Sequence, residues 1–294
     1  MGMRFSASKA AKLSHASLSG LMAAFLAFGC LGNAVADEAP KRVVSMNVCT
    51  DQLAMLVAGE GQLHSVSHLA ADPNSSVLAE QARRYVVNHG LAEEVFLMHP
   101  DLVLAGTYTT RTTVGLLRRL GVRVEEFTPE SSIEDIRANM ARMGEILGRQ
   151  ERAGELIAEF DQGLADLAAK PPPRRAVALY EPNGYTSGAG TLVDAIVAEA
   201  GLENVADRFG LVGTVHLPLE LLVLASPDLL VGGGDGHGAP ALAEQIFVHP
   251  AYRALLGSAE SITVPGPYTI CGAPFTLEVA RRLQAAARSE REAE

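Results

Sequence analysis

Apolar positions along residues 41–131 fall into short runs that alternate with stretches of helical period. Arg42–Met46 carries a short apolar strand pattern, and another strand fits Leu63–Ser67. Between them Leu53, Leu56 and Val57 share one helix face. Val95–His99 closes a helix, and Pro100-Asp101 turns the chain into the apolar strand Leu102–Ala105. Val114, Leu117 and Leu120 then line a helix that Gly121 terminates, and Val122–Phe127 returns as a strand. Strands alternating with helices imply parallel pairing in βαβ units.

The longest helical stretch runs from Ser132 to Lys170. Ser131 and Glu134 have capping-box spacing at its start, Gly148 breaks it, and Pro171-Pro172-Pro173 ends it because proline cannot continue a helix. The second piece, Gln150 to Ala169, spans about 30 Å at the helical rise, the width of a small domain. Beyond it the alternation resumes. Ala176–Tyr180, Leu229–Val231 and Ile262–Val264 read as strands, and Leu192–Ala200, Leu219–Ala225 and Phe275–Ala287 as helices. Met98-His99-Pro100-Asp101-Leu102-Val103-Leu104 is echoed by Ala225-Ser226-Pro227-Asp228-Leu229-Leu230-Val231, each a helix end, a Pro-Asp turn and an apolar strand. The expected fold is α/β, two Rossmann-like lobes with parallel sheets joined by one long linking helix. The first lobe covers 41–130, the linking helical segment 131–173 and the second lobe 174–290.

Residues 1–36 have a different composition. Arg4, Lys9 and Lys12 precede an apolar run from Leu18 to Leu31 and the triplet Ala34-Val35-Ala36, the layout of a cleavable secretory signal. The run is short for a bilayer span of about 20 residues. Cleavage after Ala36 is preferred over a lipid anchor at Cys30, because Phe28 is bulky where a lipoprotein signal carries a small residue. The whole chain has 24 basic and 34 acidic residues, net −10; without the signal's three basic residues it is net −13. Such a surface repels nucleic acid and anionic lipid and suits a basic partner.

Enzyme signatures fail. There is no H-E-x-x-H and no C-x-x-C, and the Gly232–Gly238 loop lacks the G-K-[ST] of a phosphate-binding loop. Gly184-Tyr185-Thr186-Ser187-Gly188 misses a nucleophile elbow because its centre is Thr.

Four segments, RVVSMNVCTDQLAML, GLAEEVFLMHPDLVLAG, NGYTSGAGTLVDAIVAEAGLENVA and LPLELLVLASPDLLV, occur in this order around the linking stretch. Together they resemble the solute-binding proteins of ABC importers that take vitamin B12, ferric siderophores or haem, over residues 41–288. The resemblance implies a binding protein and not an enzyme, with no resident cofactor. It implies a periplasmic monomer that delivers a metal chelate or corrinoid to an ABC permease driven by a separate ATPase. It also implies a ligand cleft between the lobes and one docking acid per lobe, here Glu93 or its neighbour Glu94, and Glu220.

Ligands in parallel α/β lobes meet the loops beyond the carboxyl ends of strands. That rule selects Asn47, Cys49, His68, His89, Tyr108, Tyr185, His237, Tyr268 and Cys271. The set is rich in Tyr and His with Arg111 the nearest cation, which favours cobalamin over a trianionic siderophore. Tyr or His also ligates haem iron. Cys49 and Cys271 should face the cleft from opposite walls. A disulfide, a shared metal centre and independent thiols are all open, with independent thiols the default because a bridge needs Cα atoms within about 7 Å. Two rival functions remain: a zinc or manganese carrier using His68, His89 and His237, and a periplasmic hydrolase using Thr186 or Asp235 with a His.

Overall fold

A computed structural model describes residues 38–232 and 242–289. The first lobe is β1 (Val43–Ser45), α1 (Val48–Val57), β2 (Leu63–Ser67), α2 (Ala79–Ala82), β3 (Val86–Asn88), α3 (Ala92–Leu97), β4 (Leu102–Gly106), α4 (Arg111–Arg119) and β5 (Val124–Phe127). Its five strands pair in the order β3-β2-β1-β4-β5, all parallel. Two helices follow, α5 (Ile133–Leu147) and α6 (Gln150–Ala168). The second lobe contains β6 (Ala176–Tyr180), β7 (Tyr185–Ser187), α7 (Leu192–Glu199), β8 (Glu203–Asn204), β9 (Thr214–His216), α8 (Leu219–Ala225) and β10 (Leu229–Gly232). It closes with α9 (Pro250–Ser258), β11 (Glu260–Ile262), α10 (Pro267–Ile270) and α11 (Leu277–Arg288). Its main sheet is parallel in the order β11-β10-β6-β8, and β7 and β9 form a separate antiparallel pair. The two-lobed α/β expectation holds. None of the described helices is long and apolar enough to cross a membrane.

The linking stretch divides at Gly148, whose φ of 66° gives the left-handed C-cap that side-chain-bearing residues adopt at a cost. Its start lies one residue later than the Ser131–Glu134 spacing suggests. Ser132 is the N-cap and accepts from the Asp135 amide at 3.1 Å, while Ser131 donates to the Asp135 carboxylate from both its amide and its hydroxyl. A Cβ on Gly144 would lie 2.5 Å from the Ala153 methyl, so a glycine there lets α5 and α6 approach closely.

The long helix α6 is held at both ends. Arg152 on its first turn donates to the Leu56 carbonyl of α1, and near its end the Leu167 carbonyl accepts from Gln284 of α11 at 2.9 Å. Arg288 of α11 reaches the Lys170 carbonyl just beyond. One continuous apolar core, from Val43 and Leu104 through Met143 and Phe160 to Leu179 and Leu283, runs from the first lobe through these helices into the second. A linker with buried faces on both sides resists hinge motion, because opening would expose that apolar surface.

The last strand shifts from its expected place. It pairs with β10 through Glu260–Ile262, not Ile262–Val264, and so leaves Thr263 and Val264 beyond its tip. The short β3, β8 and the β7–β9 pair, and the helices α9 and α10, have no counterpart in the sequence-based reading.

Candidate functional site

A cavity of about 710 Å³ lies between the lobes. The first lobe contributes the segment after β2, chiefly Pro73, Asn74, Ser76, Val77 and Glu80. The second contributes strand tips and the residues just beyond them: Leu179 near the end of β6 and Glu181 just after it, Val231 and Gly232 at the end of β10, and Thr263 to Thr269 after β11. In the second sheet β8 lies on one side of β6 and β10 on the other, so the chain's winding reverses between β6 and β10. Tips at such a reversal splay apart and leave a crevice, and the cavity opens there.

The wall is more apolar than polar, with Val77, Val193 and Val264 among its aliphatic members, Tyr268 its aromatic one, and Asn74, Ser76, Ser187, Thr263 and Thr269 its neutral polar ones. Its charged members among the described residues are Glu80, Glu181 and Glu244, all acids. Glu80 is already paired with Arg83 at 2.8 Å. Glu181 stays accessible to solvent, yet enclosure by the cleft walls pushes its carboxyl above the usual carboxylate range.

Of the candidates from sequence, Tyr268 lines this cavity. It sits on α10, edge-on to Phe275 at 6.2 Å between centroids. The other candidates among the described residues do not line it. Asn47 caps α1, its side-chain Oδ1 accepting from the Cys49 and Thr50 amides at 3.0 and 3.4 Å. His68 and His89 stack on each other at 5.4 Å in the first lobe, and both are exposed. Tyr108 projects into solvent, 88% exposed. Tyr185 is in strand β7, edge-on to His216. His237 and Asp235 fall outside the described residues, as do Cys30 and the other residues of the signal expected at 1–36. Thr186, the nucleophile considered for a hydrolase, is buried within β7 at 1% exposure, which denies it to a substrate. Among the described residues no group of three His, Cys, Asp or Glu converges as a metal site.

Cys49 and Cys271 form a disulfide with Cα atoms 5.2 Å apart, which corrects the default of independent thiols. The lobes approach closely here. After α10 the chain descends so that Cys271, 1% exposed, meets the first turn of α1. There the Gly272 amide donates to Glu130, just ahead of α5, at 3.1 Å, and Asn139 donates to the same carboxylate. Burial raises the Glu130 pKa. The bridge therefore ties the second lobe to the first.

The wall residues missed in sequence had usable signals. Glu181 immediately follows strand β6, so the strand-tip rule, applied one residue past the apolar run, selects it. Pro73-Asn74-Ser75-Ser76 is turn-forming sequence a few residues beyond the tip of β2.

Beneath the first lobe's tips Asp51 is fully buried, accepting from the Ser67 amide and hydroxyl at 3.2 and 2.5 Å. Burial pushes its carboxyl up to about 7. The folded protein then holds a proton that the unfolded chain, with a carboxylate near 3.8, releases first. Stability from this group is present in full below the unfolded value and is lost as pH rises from about 4 through about 7, on the order of a few kcal/mol in total. Asp51→Asn should remove that slope, leaving the variant the more stable partner above pH 7. Melting curves at pH 5 and pH 8.5 check this, and an unchanged difference between the two proteins at both pH values contradicts it.

Comparison with known proteins agrees with this geometry. The profile of the periplasmic binding protein family matches residues 43–256. A cobalamin-binding protein of Halobacterium salinarum (strain ATCC 29341 / DSM 671 / R1) is 29% identical over 207 residues, 67% of this chain. The aligned stretch spans 55% of that relative, about half its length. Among solved structures, a possible iron-binding (periplasmic solute-binding) protein of Staphylococcus epidermidis ATCC 12228 superposes with a TM-score of 0.70 at 18% identity, covering 86% of this chain and all of that one. The periplasmic haem-binding protein RhuT of Roseiflexus sp. RS-1 gives 0.66 at 22% identity, over 84% and 99% of the two chains. The vitamin B12-binding protein BtuF of Vibrio cholerae gives 0.61 at 16%, over 85% and 97%. With two parallel-sheet lobes, a cavity between them and a family profile spanning both, the chain belongs to the periplasmic binding protein family, whose members bind solutes and are not enzymes.

Proposed function

We propose that this protein captures a corrinoid, or a similarly neutral metal chelate, in the interlobe cavity and hands it to the permease of an ABC importer. The observation that carries the reading is the cavity's wall: more apolar than polar, with one tyrosine, neutral Asn, Ser and Thr side chains, three carboxylates and, among the described residues, no cation. A trianionic ferric siderophore buried there would face three carboxylates with no guanidinium in the wall to pair its charge, a costly desolvation; Arg282, 5.8 Å from the Tyr268 ring centroid, is not part of the lining and is paired with Glu278. A large, mostly neutral ring system gains apolar contact with the half-buried Val77, Val193 and Val264 and packs against Tyr268. The kinship to a cobalamin-binding protein supports the same class.

The function implies export through the signal at 1–36, residence in the periplasm as a monomer, and lobes at 41–130 and 174–290 joined through 131–173. Delivery runs through one exposed acid on each lobe, Glu93 and Glu220, facing cations of the permease, with a separate subunit supplying ATP hydrolysis. Titration of the mature protein with cyanocobalamin, haemin and a ferric hydroxamate, followed optically and by calorimetry, tests the ligand class. Cyanocobalamin should bind one to one at micromolar affinity or tighter, and the hydroxamate at least tenfold more weakly. The reverse order overturns the assignment.

A further inference from the structure

The echoed segments occupy one structural position in the two lobes. In each, a short helix ends in a residue with left-handed backbone, His99 at φ 51° and Ser226 at φ 48°, followed by Pro-Asp. The Asp101 carboxylate accepts from the Lys41 and Arg42 amides at the start of β1, and the Asp228 carboxylate accepts from the Ala176 amide at the start of β6. The strand that follows then pairs in parallel with that same central strand, β4 with β1 and β10 with β6. Helices α3 and α8 are thus equivalent, and residues can be matched by their distance from the proline.

Glu93 and Glu220 both stand seven residues before it. Glu94 matches Leu221 and is occupied locally, accepting from the His89 amide at 2.8 Å and facing its ring at 3.3 Å. Glu93 and Glu220 are exposed, and neither forms a salt bridge among the described residues. Four residues on, at equal distance from each proline, come Leu97 and Leu224, 71% and 74% exposed. A separation of four puts acid and leucine on one helix face. Isolated exposed leucines need no explanation. The same acid–leucine pair at the same position of two lobes does.

We propose that each lobe docks through an acid–leucine pair, Glu93 with Leu97 and Glu220 with Leu224, onto a permease that offers a cation beside an apolar socket twice over. This rests on the importer reading and adds the apolar half of the contact. The acid faces the cation and sets orientation, and the leucine, buried only in the docked state, slows release.

The test measures binding of the immobilised protein to a cobalamin-importer permease–ATPase complex in nanodiscs. Leu97→Ala, Leu224→Ala, the two Leu→Asp variants and Glu93→Arg/Glu220→Arg are compared, with cyanocobalamin affinity and melting temperature recorded for each. Each Leu→Ala should weaken docking about tenfold, mainly through faster dissociation, and each Leu→Asp more, with cyanocobalamin affinity unchanged. Leucine variants within twofold of wild type overturn the proposal, and they leave the importer reading standing if the charge reversal abolishes docking. A wild type that fails to dock at 10 µM ends both. Sedimentation of the unliganded protein gives the remaining outcome: a dimer that the Leu→Asp variants dissociate assigns the surface to a second copy of this chain and overturns the permease contact.

Discussion

Cys49→Ser should lower the melting temperature of the oxidised mature protein by roughly 10 °C, the largest stability effect expected of any single substitution in the cleft. The bridge closes a loop of 222 residues. A cross-link that long removes loop-closure entropy from the unfolded chain worth up to about 5 kcal/mol, with about 2–4 kcal/mol the usual yield. For a protein of this size 1 kcal/mol corresponds to about 2–4 °C. Cys271→Ser and the double substitution should cost the same as Cys49→Ser, because all three remove one bond. The oxidising periplasm keeps the bridge closed. Two reactive thiols in the denatured, unreduced mature wild type, together with an unchanged melting curve in the variant, would show that the bridge does not form.

Loss also has a functional side. The bond joins the first turn of α1 to the loop after α10, and α10 carries Tyr268 on the cavity wall. Cutting it leaves the α5–α6 core intact, so each lobe should stay folded while Tyr268 loses its fixed distance from Pro73–Glu80 of the opposite lobe. Ligand affinity should fall by less than stability does, since the shared core still holds the lobes together.

Reversing both docking acids should cost more than any change in the cleft as far as transport is concerned. Glu93→Arg/Glu220→Arg replaces two attractive points with two repulsive ones. Like charges brought together at an interface cost several kcal/mol, so permease affinity should fall by roughly a hundredfold or more, while cyanocobalamin affinity stays at the wild-type value. Each single reversal should act mainly on the association rate and lose its effect as salt is raised, because exposed charges are screened beyond about 8–10 Å at physiological ionic strength. Glu94→Arg is the control. It breaks the contact with His89 and should leave docking within a few-fold of wild type. A double reversal that docks normally removes these acids from the mechanism.

Much of the architecture was legible because burial imposes periodicity. The strand β6 lies where the unbroken apolar run Ala176–Tyr180 placed it, and it sits inside its sheet between β8 and β10. The break at Gly148 followed from one glycine between two helix-periodic stretches. Elements with little burial left little trace. Val86 and Val87 of the edge strand β3 are exposed, and β8 has two residues. The β7–β9 pair is two three-residue strands separated by α7 and β8. No local pattern marks such a contact.

The site was harder to read for a related reason. The strand-tip rule names loops but not which loops of opposite lobes meet. It weighted both lobes equally, whereas the cavity follows the reversal between β6 and β10 and takes a segment beyond the tip of β2 from the first lobe. His68, His89 and Tyr108 obey the rule and still lie outside the cavity wall. The cysteine pair failed as a prediction because its span depends on α10, a four-residue helix with no periodic signature that lowers the chain onto α1.

The claim on which the rest depends is that the guest lies between the lobes, against the second lobe's strand tips. A crystal structure of the mature protein grown with whichever of cyanocobalamin, haemin or the hydroxamate binds tightest tests it directly. The account predicts density for that molecule between Pro73–Glu80 and Thr263–Thr269, in contact with Tyr268 and Glu181. Density confined to an outer face, or to the His68–His89 pair outside the cavity, contradicts it.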